Sequence, residues 1–146
     1  MLNQEMRQIL DDSRNRGWVL EPDAKRLLSA AGLDVPRFFC TSDPGEAERF
    51  ARDIGFPVVA KVVSPEILHK SDAGGVRTGL RDARGLREAM DHFASLDGYE
   101  ATLVEETVQG VELIAGAKVD EQFGPVILLG IGGTAVEIYQ DTVIRM

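Results

Sequence analysis
A lysine stands in the middle of "FPVVAKVVS" (56–64), an otherwise apolar run, and this one residue constrains the fold more than any other. The run is β-branched and too short for a helix, so it reads as a buried strand. An unpaired ammonium inside such a strand costs several kcal/mol or is forced neutral, so Lys61 needs an anion. The loop "PEILHKSDAGG" follows at once, and "GVRTGL" then returns as a strand, an order that suggests a flap. Gly74 and Gly75 permit positive φ and close approach, which lets successive N–H groups converge on phosphate oxygens. Lys70 and Arg77 flank them and can add charge-assisted contacts. The loop lacks GxxxxGK[ST] spacing and leads into a strand, which excludes a P-loop. A plainer reading stays open, in which Gly74-Gly75 is a hairpin turn and Lys61 snorkels to a surface carboxylate.

The rest of the chain supplies helices before this motif and strands after it. Leu2, Met6, Ile9 and Leu10 recur at helical spacing, and "RNRG" predicts an end near Arg16. In "LEPDAKRLLSAAGLDVP", Pro22 suits a first turn, Ala24, Leu27, Leu28 and Ala31 share a face, and Gly32 is a stop. "VPRFFCT" reads as a short strand. Ser42 or Asp43 caps a third helix carrying Ala47, Phe50, Ala51 and Ile54 on one stripe. Asp82 leads a fourth, with Leu86, Ala89, Met90 and Phe93. "ATLVEETV", "VELIAGAKVD" and "GPVILLGI" are strand-like runs divided by Gly110 and "EQFG", so the second half reads as an antiparallel sheet, and "GGTAVEIYQDTVIRM" begins another hairpin.

Composition narrows the classes. With 146 residues, 44% of them hydrophobic, the chain can bury one sizeable core, as one domain or part of a larger one. Its single cysteine, Cys40, forms no intramolecular disulfide and no zinc cluster, and a reducing cytoplasm fits best. No secretory signal and no apolar run of membrane-spanning length is present, so a soluble protein is expected. The net charge of −8 opposes nucleic acid and anionic lipid, so an anionic ligand must be captured by local cations.

In "VELIAGAKVD", Leu113, Ala115, Ala117 and Val119 alternate as an expected core face, which leaves Glu112, Gly116 and Lys118 opposite. A carboxylate there can accept both hydroxyls of a ribose, and the upstream "VEETV" can offer backbone groups to an adenine edge. An ordinary solvated face with a Glu and Lys pair is the alternative.

At these residues the chain resembles the ATP-grasp subunit or domain of NDP-forming acyl-CoA synthetases. "EPDAKRLLSAAGLDVP", "GFPVVAKVVSPEILHKSDAGGVRTGL" and "FGPVILLGIGGTAVEIYQD" look like that family's blocks in its order, over nearly the whole chain. The resemblance implies an α+β ATP-grasp fold, incomplete here. An amino-terminal helix (1–20) would precede a small α+β subdomain with the glycine-rich flap (21–104) and the start of a second, antiparallel-sheet subdomain (105–146). It implies that Lys61, Lys70 and the flap, Ser71 with Gly74, Gly75 and Val76, hold nucleotide phosphates. It also implies that Glu105 lies beside the adenine with Glu106 and Val108, and that Glu112, seven residues on, holds the ribose.

For His69 the resemblance implies a phosphate-carrying role in a phosphohistidine relay between a CoA-ligase subunit or domain and ADP. Imidazole is a competent nucleophile near neutral pH, and the cations of the loop would stabilise the transferring group. Without the resemblance, a lone loop histidine is more often a surface residue, and His92 has no comparable case. The family's magnesium ligands, an Asp-x-Asn-Pro motif and a later aspartate, are expected beyond Met146. Glu137 and Asp141 have no motif behind them. The isolated chain is thus expected to be catalytically poor or inactive, because metal bridging of the terminal phosphates supports phosphoryl transfer. An exposed edge and apolar face are expected to favour self-association or a partner chain. The alternative function is a nucleotide-sensing module, such as the similar domain attached to protein acetyltransferases, in which binding persists without turnover.

Overall fold
The computed structural model describes residues 2–67, 69–132 and 142–145. The chain divides into two compact units, Met1–Val108 and Gln109–Met146.

The first unit is built on a four-stranded antiparallel sheet of β1 (Phe38–Thr41), β2 (Val58–Val63), β3 (Val76–Leu80) and β4 (Ala101–Glu106), in the order β1-β4-β2-β3. Contrary to the expectation from sequence, β4 does not join the later strands: it pairs with β1 and β2 and is central. Its composition explains why, since residues 102–105 are all buried, as a strand covered on both faces requires.

One face carries α3 (Pro44–Ile54) and α4 (Ala83–Ala94). Asp43 caps α3 by accepting from Glu46 N, and Asp82 caps α4 by accepting from Gly85 N, each at 2.8 Å. Their apolar stripes bury Ala47, Ala51, Leu86, Ala89, Met90 and Phe93 against Val58, Ala60, Val62 and Val104. Strand alternation sends Lys61 and Val63 to the opposite face, where Val63 joins Leu20 and Leu103 with Trp18, Phe38 and Cys40 around them. A one-residue slip would put Lys61 in the α3–α4 core. Burial and the nearby Asp23 and Glu100 push the Cys40 thiol up.

Two helices precede the sheet. In α1 (Gln4–Ser13) Met6, Ile9 and Ser13 are buried, while Leu2 and Leu10 are exposed. The helix ends three residues before the expected Arg16, in turns that close on Gly17 at φ 81°. In α2 (Glu21–Ala30) no residue is fully buried: Ala24 and Leu27 are half-buried while Leu28 and Ala31 are exposed, so the expected apolar face is only partly covered. Ion pairs from Glu21 and Lys25 add to its attachment.

The second unit comprises β5 (Leu113–Asp120), β6 (Gly124–Ile131) and β7 (Thr142–Arg145) as an antiparallel sheet. The Asp120 carboxylate accepts from Gln122 N and Phe123 N and shapes the β5–β6 turn. The expected core face of β5 is corrected: Leu113 and Val119 are exposed, as are Ile127, Leu129 and Ile131 on β6. Alternation marks which residues share a face, but burial needs a second layer. Among the described residues of this unit no helix supplies one. Glu137, Asp141 and the Lys118 side chain lie outside what is described.

Candidate functional site: a lysine pocket beneath a loop
Lys61 finds its anions inside the protein. On β2 it faces Leu103 of β4, and Glu105 stands two residues along the same face, a diagonal cross-strand position. Lys61 Nζ lies 2.7 Å from Glu105 Oε1 and 2.6 Å from Glu21 Oε1. The second oxygen of Glu21 meets Lys70 Nζ at 2.7 Å, and the second oxygen of Glu105 meets Lys25 Nζ at 2.6 Å. Three ammonium groups thus share two carboxylates. Lys25 also lies over the Phe38 ring, 5.8 Å from its centroid.

Burial alone would lower the Lys61 pKa, but hydrogen bonds to Glu105 and Glu21 outweigh it and hold the group above the ordinary lysine value. Burial would likewise raise the Glu21 carboxyl, yet the bonds to Lys61 and Lys70 hold it below the ordinary carboxylate value. Both stay charged at neutral pH.

This network lies beside an open pocket of ≈ 500 Å³. Lys61, Lys70, Ser71 and Val76 line it from the strand–loop–strand motif, and Trp18, Glu21 and Ala24 line it from the α2 side. The structure therefore brings four of the residues singled out in the sequence to the pocket wall, with a fifth, Glu105, against Lys61. It adds Glu21 and Lys25, which the sequence reading passed over. Their i,i+4 spacing at the head of α2, interrupting an apolar stripe, was the available signal.

The loop itself is tightly turned. Gly75 N donates to Lys70 O at 2.7 Å, Gly74 N to Ser71 O at 3.1 Å, and Val62 N to Gly75 O at 2.8 Å. The glycine N–H groups are thus engaged within the loop, not presented as an anion cradle. Their requirement is for space: a Cβ on Gly75 would collide with Val62 Cγ1 and sit 3.1 Å from Lys70 O. Gly74 has φ 69°, and a Cβ there would approach His92 Nε2 at 3.2 Å. Arg77 donates to the carbonyls of Gly74 and Val76, bracing the loop from outside the pocket lining. His69 is exposed in the loop next to Lys70.

The remaining candidates fall at the end of the first unit or in the second. The Glu105 carboxylate is committed to lysines, and that of Glu106 takes Arg37 N at 3.0 Å and Arg37 Nε at 2.8 Å. These bonds hold the Glu106 carboxyl below its ordinary pKa. β4 is paired on both edges as far as Glu105, and Glu106 N donates to Arg37 O. Val108 beyond it is exposed. Glu112 belongs to the second unit, where its carbonyl accepts from Gly132 N. Among the described residues no group of three or more His, Cys, Asp or Glu is arranged to hold a metal ion. No described helix is long and apolar enough to cross a membrane.

A four-stranded sheet with a strand lysine beneath a glycine-bearing loop, followed by a separate antiparallel sheet, is the framework of an ATP-grasp protein. The chain belongs to the ATP-grasp domain family, whose model matches residues 11–146. It is 37% identical over 150 residues to the acetate–CoA ligase [ADP-forming] I subunit beta of Pyrococcus furiosus, covering 96% of this chain and 64% of that protein. A solved Pyrococcus horikoshii Ot3 structure superposes with TM-score 0.89 at 33% identity, over 99% of this chain and 66% of the other. A dinucleotide-forming acetyl-coenzyme A synthetase 1 of Ca. Korarchaeum cryptofilum matches at TM-score 0.75 and 38% identity, over 96% of this chain and 63% of that one. It was solved with coenzyme A and Mg-AMPPCP, its phosphohistidine segment pointing towards the nucleotide binding site. The chain thus spans about two thirds of the length of these relatives.

Proposed function
We propose that the chain is the nucleotide-binding part of an NDP-forming acyl-CoA synthetase, which converts acyl-CoA, ADP and phosphate to acid, CoA and ATP. The observation that carries this reading is the convergence of Lys61 and Lys70 on one pocket, in a chain whose relatives include an ADP-forming acetate–CoA ligase. In this reading Lys61 and Lys70 hold the phosphates, Ser71 and Val76 line their path, and Gly74 and Gly75 let the loop close. The adenine edge would meet backbone groups after Glu106, at Thr107 and Val108, where strand pairing ends. Glu105 then acts as the buried counterion of Lys61. Glu112 would accept the ribose hydroxyls.

His69 is the proposed phosphate carrier. A phosphohistidine of the CoA-ligase partner would lose its P–N bond as an imidazole nitrogen of His69 forms one. That bond would then break as a β-phosphate oxygen of ADP takes the phosphoryl group, leaving ATP and restoring the imidazole. Exposure beside Lys70 gives His69 the access and the nearby positive charge this requires. In this reading magnesium would be held by ligands from the relatives' further length. A soluble, cytoplasmic location fits this chemistry.

The test is calorimetric titration of ADP and ATP, with and without magnesium, into the chain and its Lys61→Ala and Glu112→Ala variants. Binding lost in both variants is expected. No binding to a chain shown to be folded would overturn the nucleotide reading. With the complementing partner, His69→Ala should abolish phosphate transfer while sparing nucleotide affinity; unchanged transfer would remove His69 from the relay.

A further inference from the structure
We infer that Glu21 is a displaceable internal anion: it holds the loop lysine Lys70 beside Lys61 until the phosphates of a ligand take its place. The inference rests on the nucleotide reading of the pocket and assigns a positioning role to a residue outside the flap and the Glu105–Glu112 segment.

Four observations carry it. Each oxygen of the Glu21 carboxylate meets a different lysine, at 2.6 and 2.7 Å, the bridging geometry that two oxygens of one phosphate would adopt. Glu21 itself lines the pocket, so its carboxylate lies where an entering anion would compete for the same two ammonium groups. Lys61 keeps a second carboxylate, Glu105 at 2.7 Å, and therefore stays charged and oriented when Glu21 leaves. Lys70 has Glu21 as its one carboxylate partner among the described residues, and its own carbonyl accepts from Gly75 N. Glu21 consequently ties the turn that contains the glycines to the first turn of α2.

The charge balance favours exchange. Among the directly paired groups, Lys25, Lys61 and Lys70 carry three positive charges against two negative charges on Glu21 and Glu105. A diphosphate brings more negative charge than Glu21 and can engage both lysines while the carboxylate turns to water through the open side of the pocket. Glu21 would thus select for polyphosphate over weaker anions, because only a ligand that outcompetes it on both lysines gains entry.

The experiment compares the wild-type chain with Glu21→Gln and Lys70→Gln, using ADP and inorganic pyrophosphate as probes. Trp18, the one tryptophan in the sequence, lines the pocket and reports binding by fluorescence. Hydrogen exchange of residues 69–76 reports the tether without any ligand. Glu21→Gln should tighten ADP about five- to tenfold, the low end of the usual coupling between competing or cooperating ligands, and should accelerate exchange of the loop. Lys70→Gln should accelerate exchange equally but weaken ADP. Opposite effects on affinity with the same effect on the loop are not expected of a merely structural residue. Weaker ADP binding in Glu21→Gln overturns displacement, and unchanged loop exchange overturns the tether. Failure of the wild-type chain and both variants to bind ADP overturns the nucleotide reading, and the displacement with it.

Discussion

Replacing Glu105 by Gln tests whether the buried carboxylate is what allows two lysines to occupy this face of the sheet. The Glu105 side chain is 8% exposed and that of Lys25 is 13% exposed, with 2.6 Å between their charged atoms. Lys61 keeps Glu21 after the change, but Lys25 is left with the Phe38 ring. A charge pair near a protein surface is worth about 4 kcal/mol at an effective dielectric of about 20, before desolvation. Orphaning one member of a buried pair costs about 3–5 kcal/mol, and the amide retains one acceptor, which points to the lower end, about 3 kcal/mol. With a urea slope of about 1.5 kcal/mol/M the midpoint should fall by about 2 M. Trp18 fluorescence follows the first unit specifically. Adding Lys25→Met should return part of the loss, with a coupling of about 1–2 kcal/mol in the double-mutant cycle. A shift of less than about 0.5 kcal/mol in Glu105→Gln, typical of an ordinary surface site, would refute the argument and mean that Lys25 reaches water unaided.

Three other outcomes are expected. Gly75→Ala should destabilise the first unit by about 1–3 kcal/mol, because the new methyl group meets Val62 and the Lys70 carbonyl; a thermal midpoint equal to wild type would contradict the packing described. Phe93→Ala, at a fully buried position between α4 and the sheet, should cost about 3–5 kcal/mol in urea unfolding, and a loss below about 1 kcal/mol would mean the core collapses around the gap. The Glu21 carboxyl has its folded pKa depressed below 4.5, so its contribution is fully present above 4.5 and is lost as pH falls through the lowered value. Lys61 is raised above 10.5, so its contribution is present below 10.5 and lost only as pH rises beyond that. Glu21→Gln should therefore flatten the acid limb of the stability profile and leave the neutral plateau level; an acid limb as steep as wild type would contradict the linkage.

The legible parts of this fold were those that local rules control. Asp43 and Asp82 marked the starts of α3 and α4, and the stripes behind them pack as their 3.6-residue spacing requires. The strand–loop–strand around Lys61 was equally clear, since a β-branched run has few other uses. Periodicity alone is a poorer guide where no second layer covers the apolar face. On α2 Ala24 and Leu27 are only half-buried and Leu28 and Ala31 are exposed, and β5 exposes its expected core face. Hydrophobic spacing states which residues share a side, not what lies opposite.

A similar division holds for the site. That Lys61 must meet an anion follows from the sequence by itself, because a strand of valines cannot solvate an ammonium. That Gly74 and Gly75 permit positive φ and close approach is also legible there, whereas what crowds them, Val62, the Lys70 carbonyl and His92, is not. Only the tertiary structure decided that the anions are Glu21 and Glu105, forty and forty-four residues away in opposite directions, and that Lys70 shares one of them. The pairing depends on sheet order, with β4 inserted beside β2, and on the placing of α2 over that face. Charge complementarity is a property of atoms a few ångströms apart, and the chain has many acidic residues from which folding alone selects two.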